Sequence, residues 1–166
     1  MARPPRVAVH SQRERGPTLS VPKGDRNEAE TEFVRTAREL YIHTVRKCAG
    51  FPKRYTFYVS QPMAQMAGRI YEHVVCANSI FPTRKADADL RRQYLTMAHS
   101  ELRALVAQVE IAAEMFGVRH DGSPYGEMEG KDGRKLDYWM EMVHREIRLV
   151  KGVLKRDAQR FKDLPE

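Results

Sequence analysis

One long segment, from about Lys85 to Phe116, limits the possible folds of this chain, because its apolar residues recur at helical spacing. The central stripe of this segment consists of Tyr94, Ala98, Leu102, Leu105, Val109, Ala112 and Phe116. Further apolar residues flank the stripe, and only a narrow strip is fully polar. A helix this apolar needs neighbours on more than one side, supplied by a bundle or by other subunits.

Three more segments show amphipathic helical periodicity, over residues 28–49, 56–79 and 136–162. Gly50 and Pro52 end the first, and Phe81-Pro82 ends the second. A glycine-rich loop is predicted over 117–135. The predicted stripes of these helices contain Phe33, Ala37, Leu40, Tyr41, Thr44 and Cys48; Val59, Met63, Met66, Ala67, Ile70, Val74 and Ala77; and Leu136, Met140, Val143, Ile147, Val150 and Leu154.

Four such segments predict an all-α chain, an antiparallel up-down four-helix bundle over residues 28–166. Residues 55–59 form the one short run that resembles a strand, but they continue into a helical stripe, so we predict helix there. Residues 1–27 are rich in proline and arginine without periodicity, which predicts a disordered basic arm.

The charge balance favours an acidic partner, with nucleic acid first. There are 29 Lys and Arg residues against 22 Asp and Glu, a net charge of +7, and more than half of this excess lies in the predicted arm. Solubility alone is the alternative explanation. Cys48 and Cys76 are too few for a disulfide framework. No apolar run reaches the roughly 20 residues of a membrane span, and the N-terminus lacks a signal-peptide core, so we expect a cytoplasmic protein without membrane contact.

A second apolar ridge on the fourth helix predicts a contact between copies of the chain. Its members are Tyr138, Met142, Leu149 and Val153. The alternative is that these are the scattered apolar residues found on most protein surfaces.

Catalytic and metal-binding patterns are weak. Glu141 and His144 form one Glu-x-x-His pair, whereas di-iron bundles use two such pairs and two further carboxylates. Arg38 with His43, and Arg92 with His99, have the spacing that some helical nucleases use, but an acid-base group also needs a polar pocket. We therefore predict no metal, no cofactor and no enzymatic activity.

Basic residues remain as the strongest functional signal. A surface that follows phosphates, or simply a solvated charged face, fits their distribution. The candidate nucleic-acid-binding residues are Lys53, Arg54, Arg91, Arg92, Arg145, Arg148, Lys151, Lys155 and Arg156. No base-reading motif accompanies them, so binding is expected to follow shape and charge.

Two stretches carry a family resemblance. Phe-Pro-Lys at 51–53 opens an aromatic-rich helix start, KRYTFYVSQPMAQMAGRIYEHVVCAN, and a basic linker leads to the long helix RRQYLTMAHSELRALVAQVEIAAEMFG. This pattern resembles the four-helix-bundle proteins grouped with the 23S rRNA intervening-sequence protein. It is most similar to the accessory variability proteins of diversity-generating retroelements.

The resemblance implies a barrel-shaped pentamer without catalytic residues. It also implies binding to RNA and DNA with little sequence preference, and contact with a separately encoded reverse transcriptase. Two other functions remain open from the residues themselves. One is an RNA-cleaving nuclease of a toxin or defence system that uses Arg92 and His99, and the other is a pure protein-interaction scaffold.

Overall fold

The computed structural model describes residues 28–116 and 134–166, with side chains described over 32–116 and 138–166. It contains four long helices, α1 (Glu28–Ala49), α2 (Gln61–Ser79), α3 (Lys85–Phe116) and α4 (Arg134–Arg160). No β-strand occurs in either described range, so the all-α prediction is confirmed. The predicted arm 1–27 and residues 117–133 of the predicted loop lie outside the described residues.

The predicted helix boundaries are close to the observed ones. α1 and α3 agree with their predicted ranges, and α4 begins two residues before its predicted start. Residues 55–59 are helical, as predicted, although the backbone is irregular there. A 3-10 turn (Lys53–Tyr55) is followed by a π-helical turn (Thr56–Ser60), and α2 begins at Gln61 with Pro62 in its first turn, where a missing N–H costs least.

Each helix packs against two others, α1 against α2 and α4, and α3 against α2 and α4. Contacts between α1 and α4 run in opposite residue order. Along α1 and α4, Trp139 Nε1 donates to Thr44 Oγ1 at 3.1 Å, and Arg145 Nη2 donates to Glu32 Oε1 at 2.6 Å. The four helices thus enclose one continuous apolar core.

The core contains most of the predicted stripe residues. Phe33, Leu40, Met63, Ile70, Leu102 and Leu105 have no exposed surface. The buried face of α4 is turned relative to the predicted stripe, because Met140 and Leu154 are half-buried while Trp139 and Val153 are buried. The bond of Trp139 to Thr44 fixes one part of this face.

The connection between α2 and α3 is held by polar bonds. The Asp87 carboxylate accepts hydrogen bonds from Thr83 N at 3.2 Å, Thr83 Oγ1 at 3.1 Å and Arg84 N at 3.2 Å. These bonds satisfy free amides at the start of α3, and they lower the pKa of Asp87. The end of the chain packs on the same turn, where Lys85 N donates to Pro165 O at 2.8 Å.

Candidate nucleic-acid interface

The adjoining faces of α3 and α4 carry a group of exposed cations. Arg148, Lys151 and Lys155 lie on one face of α4, and all three are exposed. Lys151 lies across the seam between α3 and α4 from His99 of α3. Burial is the main cause of the lowered pKa of His99, and the positive charges of Lys151 and Arg103 lower it further. Arg92 lines the same seam nearer the start of α3, in a small cleft. We call Arg92, Arg103, Arg148, Lys151 and Lys155 the α3/α4 basic strip.

Arg91 does not belong to this strip, and its prediction as a nucleic-acid-binding residue is wrong. Its side chain is buried, and its Nε donates to Asp157 Oδ2 at 2.7 Å. Its Nη1 donates to the carbonyl oxygens of Ala77 at 2.8 Å and Ile80 at 3.2 Å. Arg91 therefore joins α3 to α2 and α4 from inside the bundle and does not face a ligand in solvent.

Two further predicted residues have intramolecular partners. The ion pair of Arg145 with Glu32 has a distance of 2.6 Å and raises the pKa of the arginine. The Arg156 Nε donates to the Gly152 carbonyl at 3.4 Å, and its side chain is half-buried. Since surface ion pairs are weak, Arg145 remains accessible to a competing anion, whereas Arg156 presents less of its surface.

Lys53 and Arg54 are exposed, but they lie far from Lys155. They belong to the 3-10 turn beside Phe116, at the end of α3, whereas Arg92 lies two turns from its beginning. The structure therefore divides the nine predicted residues into four in the strip, two at one end of the bundle, Arg145 and Arg156 with their intramolecular partners, and the buried Arg91.

The predicted contact ridge on α4 is not an exposed ridge. Val153 is 1% exposed and Met142 is 8% exposed, so both lie in the core of the single chain. Leu149 is half-buried against that core, and only Tyr138 is exposed. The buried face of α4 includes two polar residues, Glu146 and Asp157, that an apolar pattern does not count. The true buried face is therefore displaced from the predicted one and contains Met142 and Val153. Exposed apolar side chains instead follow α3, namely Leu90, Met97, Ile111 and Met115.

The two possible nuclease pairs differ in their surroundings. Arg38 is exposed, whereas the His43 ring packs 5.3 Å from the Tyr138 ring and 6.0 Å from the Trp139 ring. His99 faces the basic strip, and its buried Nε2 has no hydrogen-bond partner among the described residues. Its lowered pKa favours the neutral imidazole.

The described residues contain no group of three or more histidine, cysteine and acidic side chains placed to hold a metal ion. Glu141 and His144 are both exposed on α4. Cys48 is buried, and burial raises the pKa of its thiol to about 11, while Cys76 is half-buried. None of the described helices combines the length and the apolar character needed to cross a membrane.

A buried carboxyl group on α4 was not predicted from the sequence. Glu146 is fully buried, and neither of its carboxyl oxygens has a hydrogen-bond partner among the described residues. Burial is the main cause of its raised pKa of about 9, with Glu32 adding to the rise and Arg145 opposing it. The burial of Glu146 could have been predicted from its position between Val143 and Val150 on the buried face of α4.

An exposed aromatic pair was also missed. Phe57 and Tyr58 lie in the π-helical turn and are 76% and 81% exposed. The sequence does show that this pair lies in a basic segment. Residues 40–71 contain no Asp or Glu and five Lys and Arg residues, namely Arg46, Lys47, Lys53, Arg54 and Arg69.

Comparisons with protein-family models, with curated proteins and with solved structures find no match to this chain.

Proposed function

We propose that the protein is a non-catalytic nucleic-acid-binding protein whose α3/α4 basic strip contacts the phosphates of RNA or DNA. One observation carries this proposal: Lys151 of α4 and Arg103 of α3 are both exposed on the two sides of the seam at which His99 lies. Arg148 and Lys155 extend the row of exposed positive charge by one turn on either side of Lys151.

A row of like charges favours a polyanionic ligand. Neighbouring cations repel one another in the free protein, and phosphates relieve this repulsion while releasing their own counterions. The buried Arg91 is compensated by Asp157 at 2.7 Å, so binding at the strip does not require this structural pair to open. Contacts of this kind give affinity with little sequence preference.

The wider role we propose is that of an accessory protein in a diversity-generating retroelement, acting in the cytoplasm. It would hold a separately encoded reverse transcriptase and its RNA template together, which raises their effective concentration. The resemblance of residues 51–78 and 91–117 supports this role. Copurification of the chain with a reverse transcriptase encoded beside it tests the partner.

We also propose an antiparallel up-down bundle that assembles into a ring, a pentamer by resemblance. The reversed order of contacts along α1 and α4 supports the up-down topology. For the assembly, Leu90, Met97 and Ile111 fall on one face of α3 and are 40–46% exposed. A stripe of this kind is typical of a contact between helices of different subunits.

Light scattering tests the ring. We expect a species of several chains for the native protein, and Met97→Glu is expected to reduce its size because it places a charge in the contact. Arg38→Glu, on an exposed position of α1, is the matched control. A monomeric native protein contradicts the assembly without affecting the proposal for the basic strip.

The phosphate-binding proposal is tested by replacing Arg148, Lys151 and Lys155 with alanine together. If each contacts one phosphate of single-stranded RNA, the slope of log affinity against log salt falls by about 2. Affinity should fall similarly for unrelated sequences. Fluorescence anisotropy with labelled RNA over a range of salt concentrations measures both quantities.

A matched control removes the same charge elsewhere. Arg35, Arg38 and Arg69 are exposed on α1 and α2, and their joint replacement by alanine is expected to leave most of the salt slope in place. An unchanged slope in the Arg148, Lys151 and Lys155 variant contradicts the strip as the binding surface. Absence of nucleic-acid binding by the native protein favours the scaffold alternative.

A second candidate function is RNA cleavage with His99 as general base, favoured by its lowered pKa among cations. The same incubations test it, because cleaved RNA is visible on a gel. Cleavage that His99→Ala abolishes supports the nuclease, whereas RNA that stays intact with bound protein supports the non-catalytic function.

A further inference from the structure

Phe57 and Tyr58 are the most exposed of the large apolar side chains that the structure describes. They are adjacent in the π-helical turn Thr56–Ser60, which enters α2. Single π-helical turns often occur at functional sites. Here the turn sends two neighbouring rings into solvent, while Tyr55 before it and Val59 within it pack inward.

The inner side of this turn is firmly anchored. The Tyr55 ring lies 5.1 Å from the Phe116 ring, which in turn lies 4.7 Å from the Phe51 ring. Val59 is buried in the core, and Thr56 Oγ1 donates to the Lys53 carbonyl at 2.7 Å. The exposed rings therefore sit on a backbone that is already ordered, which lowers the entropy cost of binding through them.

Exposed cations precede the rings in the chain. Lys53 and Arg54 are exposed in the preceding turn, and the Arg54 guanidinium lies 4.8 Å from the centroid of the Tyr55 ring. No acidic residue occurs anywhere between Glu39 and Glu72 in the sequence. An anionic ligand is thus favoured beside Lys53 and Arg54.

We propose that Phe57 and Tyr58 form a stacking platform for unpaired bases of a single-stranded nucleic acid, with Lys53 and Arg54 contacting its phosphates. This rests on the proposed function and names its substrate class. Aromatic rings interleaved with cations are the usual means of binding single strands, since every base has a π face. A duplex hides these faces within its own stack.

Charge argues against a second copy of the chain as the occupant. A symmetric contact through this turn would bring two acid-free segments together, and like charges placed across an interface disfavour association. A single strand supplies both the apolar faces and the negative charge that the turn lacks.

The test compares the Phe57→Ala/Tyr58→Ala variant with the native chain on a short single-stranded RNA and on a duplex of the same length. We expect single-strand affinity to fall at least tenfold, duplex affinity to change little, and the salt slope to stay constant because no charge is removed. Phe81→Ala is the matched control, since Phe81 is 52% exposed at the opposite end of α2.

A second variant separates stacking from folding. Phe57→Trp/Tyr58→Trp keeps aromatic faces and should retain single-strand binding. In the native chain, RNA containing 5-bromouridine should form photo-crosslinks to the peptide that contains Phe57 and Tyr58.

The outcomes distinguish this proposal from the proposed function. Native single-strand affinity in the alanine variant, with salt-dependent binding intact, overturns the platform and leaves the basic strip standing. Failure of the native chain to bind any nucleic acid overturns both. A smaller assembly in light scattering for the alanine variant would make the turn a contact between copies and would also overturn the platform.

Discussion

Two buried carboxyl groups on α4, those of Asp157 and Glu146, meet very different surroundings. Asp157 is 9% exposed, and its Oδ2 lies 2.7 Å from Arg91 Nε. Glu146 has no exposed surface and no hydrogen-bond partner among the described residues, and its pKa is raised to about 9. Burial therefore has different consequences for the two groups. Asp157 has a cation within bonding distance, whereas Glu146 has no partner among the described residues that would compensate a negative charge.

Breaking the paired site should have the largest effect. Arg91→Ala leaves the Asp157 carboxylate buried without its cation and removes the donor that reaches Ala77 and Ile80. We expect the free energy of unfolding to fall by about 3–5 kcal/mol. Urea denaturation followed by circular dichroism measures this loss.

The neighbouring residue provides the control for that change. Arg92 is exposed, and Arg92→Ala should alter the free energy of unfolding by about 0.5 kcal/mol or less. Similar losses for the two variants would show that the Arg91–Asp157 pair does not hold the helices together.

Removing the unpaired acid should have a smaller effect of opposite sign. The unfolded chain releases the Glu146 proton near a pKa of 4.5, whereas the folded chain holds it up to about 9. Between these values folding takes up a proton, so stability falls as pH rises, by up to about 1.4 kcal/mol for each pH unit. Glu146→Gln has no such proton and should be more stable by up to about 3 kcal/mol at pH 7.

Thermal or urea unfolding at pH 7 and pH 9 checks this prediction. The difference between native protein and variant should widen as pH rises, while His43 and His99, whose pKa values are lowered, stay neutral in this range. Glu141→Gln changes the same side chain at an exposed position of α4 and should have the smallest effect. A native protein whose stability does not depend on pH over this range would mean that Glu146 finds a partner.

The candidate site shows the same contrast between adjacent residues. Arg91 and Arg92 are consecutive residues of the same type. Arg91 nevertheless bonds to two other helices from inside the bundle, whereas Arg92 faces solvent. In the same way, Tyr55 packs on Phe116 whereas Phe57 and Tyr58 project outward. Helical spacing predicted the general position of the basic strip but did not tell structural arginines from accessible ones.

The four helices and most of the core could be predicted from the amino-acid sequence, because apolar periodicity and Gly or Pro breaks act locally. It placed Phe33, Leu40, Ile70 and Leu102 in the core correctly. The burial and the partners of the polar residues, in contrast, depend on how the helices pack. Glu146 and Asp157 lie on the buried face of α4, and an apolar pattern does not detect them. For the same reason the pattern did not place Met142 and Val153 on this face, where both are buried. Partners such as Arg91 and Asp157 are distant in sequence, and only the packed helices bring their charges together.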